Sequence, residues 1–139
     1  EAQANVRVAD PTEYDRIEKI MKERIANKLI SDCEVSYTLL RQSPPFAPNK
    51  ATDELFEKIK TIYKNELDMD LSPFRSKSTM ESTFTSQVTI AIDAFGMGGV
   101  GPHSLKEGVE VQYIEPRLYL LARTLQETMK GKMVPLGKK

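Results

Sequence analysis

Three prolines within five residues, Pro44, Pro45 and Pro48 in Ser43-Pro44-Pro45-Phe46-Ala47-Pro48-Asn49, constrain this chain more than any other feature. Each proline lacks an amide donor, fixes its own φ near about −65° and turns the preceding residue away from the helical region. Neither a helix nor a sheet interior runs through such a stretch. The chain is therefore expected to divide there, into residues 1–43 and residues 44–139.

Before the break, Ala2 to Val8 alternates small or apolar with polar residues, the period of a half-buried strand. Asp10-Pro11-Thr12-Glu13 then reads as a helix start, with an acceptor side chain, a proline and an acidic residue in the order that suits a first turn. Tyr14, Ile17, Ile20, Met21 and Ile25 recur at helical spacing, and the helix is expected to fade between Asn27 and Leu29. A second alternation, Cys33, Val35, Tyr37 and Leu39 between Glu34, Ser36 and Thr38, predicts another strand. Strand, helix, strand is half of a ferredoxin-like sandwich, and a chain that starts inside a strand with a free edge is expected to be part of something larger. Cys33, the only cysteine, cannot form an internal disulfide and is expected as a small buried hydrophobe.

After the break, Asn49 or Thr52 caps a helix bearing Leu55, Phe56, Ile59, Ile62 and Tyr63, which ends near Leu67. Glu66, Asp68 and Asp70 lack the spacing of a calcium loop and read as a solvated turn. Val88 to Ile92 is a nearly continuous apolar run, expected as a strand buried on both faces of a parallel sheet. A last helix spans about Ile114 to Lys130, with Ile114, Leu118, Leu121, Ala122, Leu125 and Met129 at helical spacing, and a basic tail from Gly131 is expected to fray. The result is an α/β arrangement that needs more strands than this chain offers. Twenty basic residues balance twenty acidic ones, which argues against nucleic acid or an anionic membrane as partner. No apolar run approaches the roughly 18 residues of a membrane span, so the chain reads as soluble and cytoplasmic.

Between the apolar run and the last helix lies Asp93-Ala94-Phe95-Gly96-Met97-Gly98-Gly99-Val100-Gly101-Pro102-His103-Ser104, with four of the seven glycines and the only histidine. Ligands of open α/β sheets bind beyond the carboxyl ends of the strands, where this loop is expected. Gly98, Gly99 and Gly101 let backbone approach a ligand, so the loop could offer amides to an anion while presenting the His103 imidazole. The same composition also describes a tight turn holding a hydrogen-bonded histidine.

This loop, followed by Glu107, Val109, Glu110 and Pro116-Arg117-Leu118-Tyr119-Leu120-Leu121-Ala122-Arg123, resembles the C-terminal signature of the carboxypeptidase G, acetylornithine deacetylase and succinyl-diaminopimelate desuccinylase family of zinc metallopeptidases. Upstream, Glu1 to Arg7, Asp10 to Lys22 and Leu39-Leu40-Arg41-Gln42-Ser43-Pro44-Pro45-Phe46 resemble the second half of that family's lid domain and its return to the catalytic domain. The resemblance implies the second half of a lid in residues 1–43, joined to the helix-strand-helix end of a zinc-peptidase α/β domain in 44–139. It implies two zinc ions in a parent enzyme, with His103 as the last ligand. The other ligands and the general-base glutamate lie outside this chain, which holds no catalytic residue and no complete metal site. Arg41, near the lid hinge, is the implied contact for a substrate carboxylate, and the implied substrate is a peptide or N-acyl amino acid. Pairing of the lid sheet into a homodimer is implied as well. Two departures stand out: Thr79 to Thr85 lacks the family's glycines and offers Glu81 as its nearest acidic residue, and Ala94 replaces a usual glycine. A noncatalytic dimerisation or binding module built on the same fold is the competing expectation.

Overall fold

The computed structural model describes residues 2–41, 43–46, 48–74, 76, 78 and 80–133. Contacts gather the chain into two units, Glu1–Ala47 with Ser76–Thr89, and Pro48–Arg75 with Ile90–Lys139. The structure is mixed, with helices α1 (Thr12–Ala26), α2 (Lys50–Leu67), α3 (Ser82–Thr85) and α4 (Ile114–Met129) and one antiparallel pair of short strands, β1 (Gly99–Val100) and β2 (Gly108–Val109).

In the first unit, Asp10 begins α1 as its chemistry requires: its Oδ1 accepts from the Thr12 amide at 2.8 Å and the Thr12 hydroxyl at 2.6 Å. Tyr14, Ile17, Met21 and Ile25 lie half-buried on one face, and the helix ends with the Asn27 amide donating to the Glu23 carbonyl. The strands expected at residues 2–8 and 33–39 are not formed among the described residues. Alternation fixes which side chains would share a face, but a strand exists only through a neighbour's amides and carbonyls. Cys33 is exposed, contrary to expectation, just after a turn closed by its own amide on the Ile30 carbonyl. The single helical turn of α3 buries Thr83, whose hydroxyl donates to the Met80 carbonyl at 2.8 Å.

The second unit is organised by α2 against α4. Asn49 caps α2, its Oδ1 accepting from the amides of Ala51 and Thr52. Asp68 ends the helix in the left-handed region, its amide donating to the Lys64 carbonyl. Leu55, Ile59 and Tyr63 of α2 bury against Leu120 of α4, with Ile59 and Leu120 each only 1% exposed. Met133 completes this core, held there by Lys58, whose Nζ donates to the carbonyls of Lys132 and Met133, each at 2.9 Å. The tail therefore docks as far as Met133; its remainder, 134–139, lies outside the described residues. Ile90, Ile92 and Phe95 pack on the same core but are only partly buried. The run 88–92 is thus not the doubly buried strand expected: no ladder forms on it, and Val88 is exposed.

An ion-pair network ties the helices together at their outer edge. Arg123 of α4 forms a two-pronged bond with Glu66 of α2, at 2.8 Å on each carboxylate oxygen, and the Tyr119 hydroxyl donates to the same group at 2.7 Å. Arg123 also reaches Glu127, which accepts from Lys130 at 2.8 Å. Glu66 is thus paired, not merely solvated, while Asp68 and Asp70 face Lys64. The bonds from Arg123 and Tyr119 lower the Glu66 carboxyl to about 2, and those from Lys130 and Arg123 do the same for Glu127, against an ordinary 4.5.

Two outcomes follow from this packing. Truncating Leu120→Ala removes a buried side chain at the centre of the helix pair and should lower the unfolding free energy by about 2–5 kcal/mol in denaturant titrations. Carboxyls depressed by folding stabilise fully above the unfolded value of 4.5 and lose that contribution as pH falls toward 2. The thermal midpoint should therefore drop across that window, and Glu66→Gln should make the drop shallower.

Candidate functional site

The glycine loop folds as a hairpin, with Gly99 opposite Val109 and Val100 opposite Gly108. Its tip is a turn in which the Ser104 amide donates to the Gly101 carbonyl at 3.2 Å and the Ser104 hydroxyl donates to the same oxygen at 2.7 Å. Pro102 and His103 occupy the two central places. His103 has φ +62°, the left-handed conformation that the third position of a type II turn takes. Glycine favours that region and histidine enters it at a cost of roughly 1–2 kcal/mol.

The glycines are required by the hairpin itself. A Cβ on Gly98 would meet a Glu110 carboxylate oxygen at 3.0 Å, one on Gly99 the Gly108 carbonyl at 3.2 Å, and one on Gly101 the Lys106 carbonyl at 3.0 Å. Gly101 also has φ +57°. At the entrance to the loop Ala94 sits at φ +65°, with its amide donating to the Asp93 carboxylate at 2.6 Å. The residue that departs from the resembled pattern therefore holds a conformation suited to the glycine it replaces.

His103 is exposed at the tip, and its backbone amide donates to the Glu107 carboxylate at 3.1 Å, which leaves the imidazole facing solvent. Among the described residues no group of three His, Cys, Asp or Glu side chains stands close enough to hold a metal ion. The residues present therefore do not by themselves fit a zinc site, which needs three or four protein ligands.

Arg41 belongs to the first unit. Its Nη2 donates to Asp15 at 2.7 Å and Glu18 at 2.9 Å, and the guanidinium lies over the Tyr14 ring, 5.6 Å from its centre. Asp15 and Glu18 are spaced three apart on α1, a signal of a shared cation that sequence reasoning left unused. In the segment 79–85, Thr79 lies outside the described residues, and Glu81 immediately precedes α3. The positive φ of His103 was also missed: the proline of Gly101-Pro102-His103-Ser104 marks a turn but is common to turns whose third residue keeps a negative φ.

Comparison with known proteins adds one likeness. Over 131 residues, 93% of its length, the chain is 27% identical to carboxypeptidase G2 of Pseudomonas sp. (strain RS-16). It spans about a third of that protein's length, 32%. No family model and no solved structure matches the chain. The likeness indicates a distant relation and a hydrolase origin. No helix among the described residues is long and apolar enough to cross a membrane.

The strain at Ala94 is directly measurable. Ala94→Gly should relieve about 1–2 kcal/mol of left-handed strain and return part of it as the greater entropy of an unfolded glycine, leaving a net gain of roughly 0.5–1 kcal/mol. An unchanged or lowered midpoint in chemical denaturation would show that the φ of Ala94 carries no strain.

Proposed function

We propose that this chain is part of a zinc-dependent hydrolase that cleaves an amide or peptide bond beside a carboxylate-bearing residue. Its contributions are His103 as one metal ligand and the Gly98, Gly99 and Gly101 loop that carries it. The likeness to carboxypeptidase G2 over 93% of the chain is the observation that supports this reading. The geometry is compatible with it in one respect: a histidine is kept, solvent-facing, at a φ of +62° where glycine would be less strained. Residues outside these 139 would supply the other ligands and the base, and metal chemistry belongs to that complete site.

Arg41 is proposed as the group that receives the substrate carboxylate. It already binds Asp15 and Glu18 through Nη2 alone, so a substrate carboxylate would bind through the remaining N–H donors of the guanidinium. Pairing of the first unit between subunits is part of the same proposal.

His103→Gly separates a ligand from a turn residue, because the two roles predict opposite signs. As a turn, the variant should gain roughly 0.5–1 kcal/mol of stability through relief of left-handed strain. As a ligand, it should cost a full-length hydrolase at least about 10–100-fold in zinc retention and turnover, the scale set by lesser perturbations of metal sites. The reading predicts both effects together. Stabilisation with zinc content and turnover unchanged would leave His103 a turn residue only. The 139-residue chain alone should show no zinc-dependent hydrolysis of N-acyl amino acids. Arg41→Ala should raise KM with little change in kcat, since it removes binding common to ground and transition states.

A further inference from the structure

The tip of the hairpin, residues 101–107, consists of two overlapping turns. One is closed by the Ser104 amide on the Gly101 carbonyl at 3.2 Å, the other by the Glu107 amide on the Ser104 carbonyl at 3.0 Å. The Ser104 hydroxyl joins them, donating to the Gly101 carbonyl at 2.7 Å and accepting from the Lys106 amide at 3.2 Å. None of these bonds holds His103. Its backbone amide donates instead to the Glu107 carboxylate, 3.1 Å away and four residues on.

That bond falls on the one group that decides the turn. Type I and type II turns differ by rotation of their central peptide, here the Pro102 carbonyl and the His103 amide, through about 150–170°. Proline at the second position suits both forms, and the left-handed φ disfavours type II for histidine. The sequence of the turn therefore leans the other way. A carboxylate on the face to which the His103 amide points in type II reverses that preference, because charge-assisted bonds to backbone amides are the strong ones. Glu107 is well placed to supply it, since the next residue, Gly108, is paired with Val100 in the hairpin and its own amide closes the second turn.

We propose that Glu107 is the positioning residue of the His103 site, holding the central peptide so that the imidazole is presented in one direction. This role rests on the reading of His103 as a site residue. Without the clamp the peptide flips, the bonds around the His103 Cα tilt, and the far end of the imidazole moves beyond the roughly 0.5 Å within which a working site must hold its groups.

Two measurements test the proposal. In the 139-residue chain, NMR couplings that report the sign of φ should find His103 positive in the native protein and in Glu107→Gln, and negative in Glu107→Ala. In a full-length hydrolase carrying this chain, Glu107→Ala should lower zinc retention and kcat about 10–100-fold with KM little changed, the scale of residues that orient a ligand. Glu107→Gln keeps an acceptor oxygen at the same reach but no carboxylate to bind a metal, and should stay near native. His103→Gly with Glu107→Ala should be no worse than His103→Gly alone, since Glu107 acts only through His103. Circular dichroism and the unfolding midpoint check that each variant is folded. A positive φ retained in Glu107→Ala, losses that add in the double variant, or a Glu107→Gln as impaired as Glu107→Ala would each overturn the proposal. So would native zinc retention and turnover in Glu107→Ala where His103→Gly impairs both. If His103→Gly impairs neither, the proposal falls together with the reading on which it rests, and that result identifies the reading as the cause.

Discussion

The contact of α2 with α4 is the interaction on which the second unit depends. Ile59 and Leu120 meet at its centre, and Glu66 and Arg123 close it at the edge. The hairpin inherits its position from that contact. Only Glu110 separates β2 from the turn Val111–Tyr113 that runs straight into α4, and on the other side Ile92 and Phe95 rest on the same core. His103 is thus carried at the tip of a short loop whose two ends both join packed residues.

That loop is where local preference and observed conformation disagree. Histidine at φ +62° and alanine at φ +65° occupy a region that costs most side chains free energy, within ten residues of each other in one segment. Strain of this kind persists only where the surroundings over-determine it. The Gly101 carbonyl takes two bonds from Ser104, and the Glu107 carboxylate takes the His103 amide, which together fix the turn around the strained residue. Ala94 has its own restraint in the Asp93 carboxylate.

Helices were legible in the sequence and strands were not, for a physical reason. Asp10 and Asn49 cap α1 and α2 as their positions indicate, and the ends near Asn27 and Leu67 agree, because a helix satisfies its own backbone within a few residues. Alternation at 33–39 contains no information about where a pairing partner lies, and the described residues provide none. In α4 the periodicity found a real apolar stripe, but the helix buries a different side. Leu120 enters the core beside Arg117, whose guanidinium lies over the Tyr63 ring of α2, 5.8 Å from its centre, and Arg123, which pairs with Glu66 of the same helix. Hydrophobic spacing alone weighs such arginines as polar and so selects the wrong face. At the candidate site, the loop and its histidine were visible as residues. The conformation of His103 and the ion pairs of Arg41 depend on neighbours that sequence spacing only hints at.

These two faces of α4 place a limit on how independent the second unit can be. Its buried hydrophobic core among the described residues consists of Leu55, Ile59, Tyr63, Leu120 and Met133, a small set for a domain whose net stability is the difference between much larger opposing contributions. Apolar surface left on α4 adds nothing to that balance while it faces water. Once covered, it contributes in proportion to the area removed, and it does so by mass action, since whatever binds the folded helix and not the unfolded chain raises apparent stability with its own concentration.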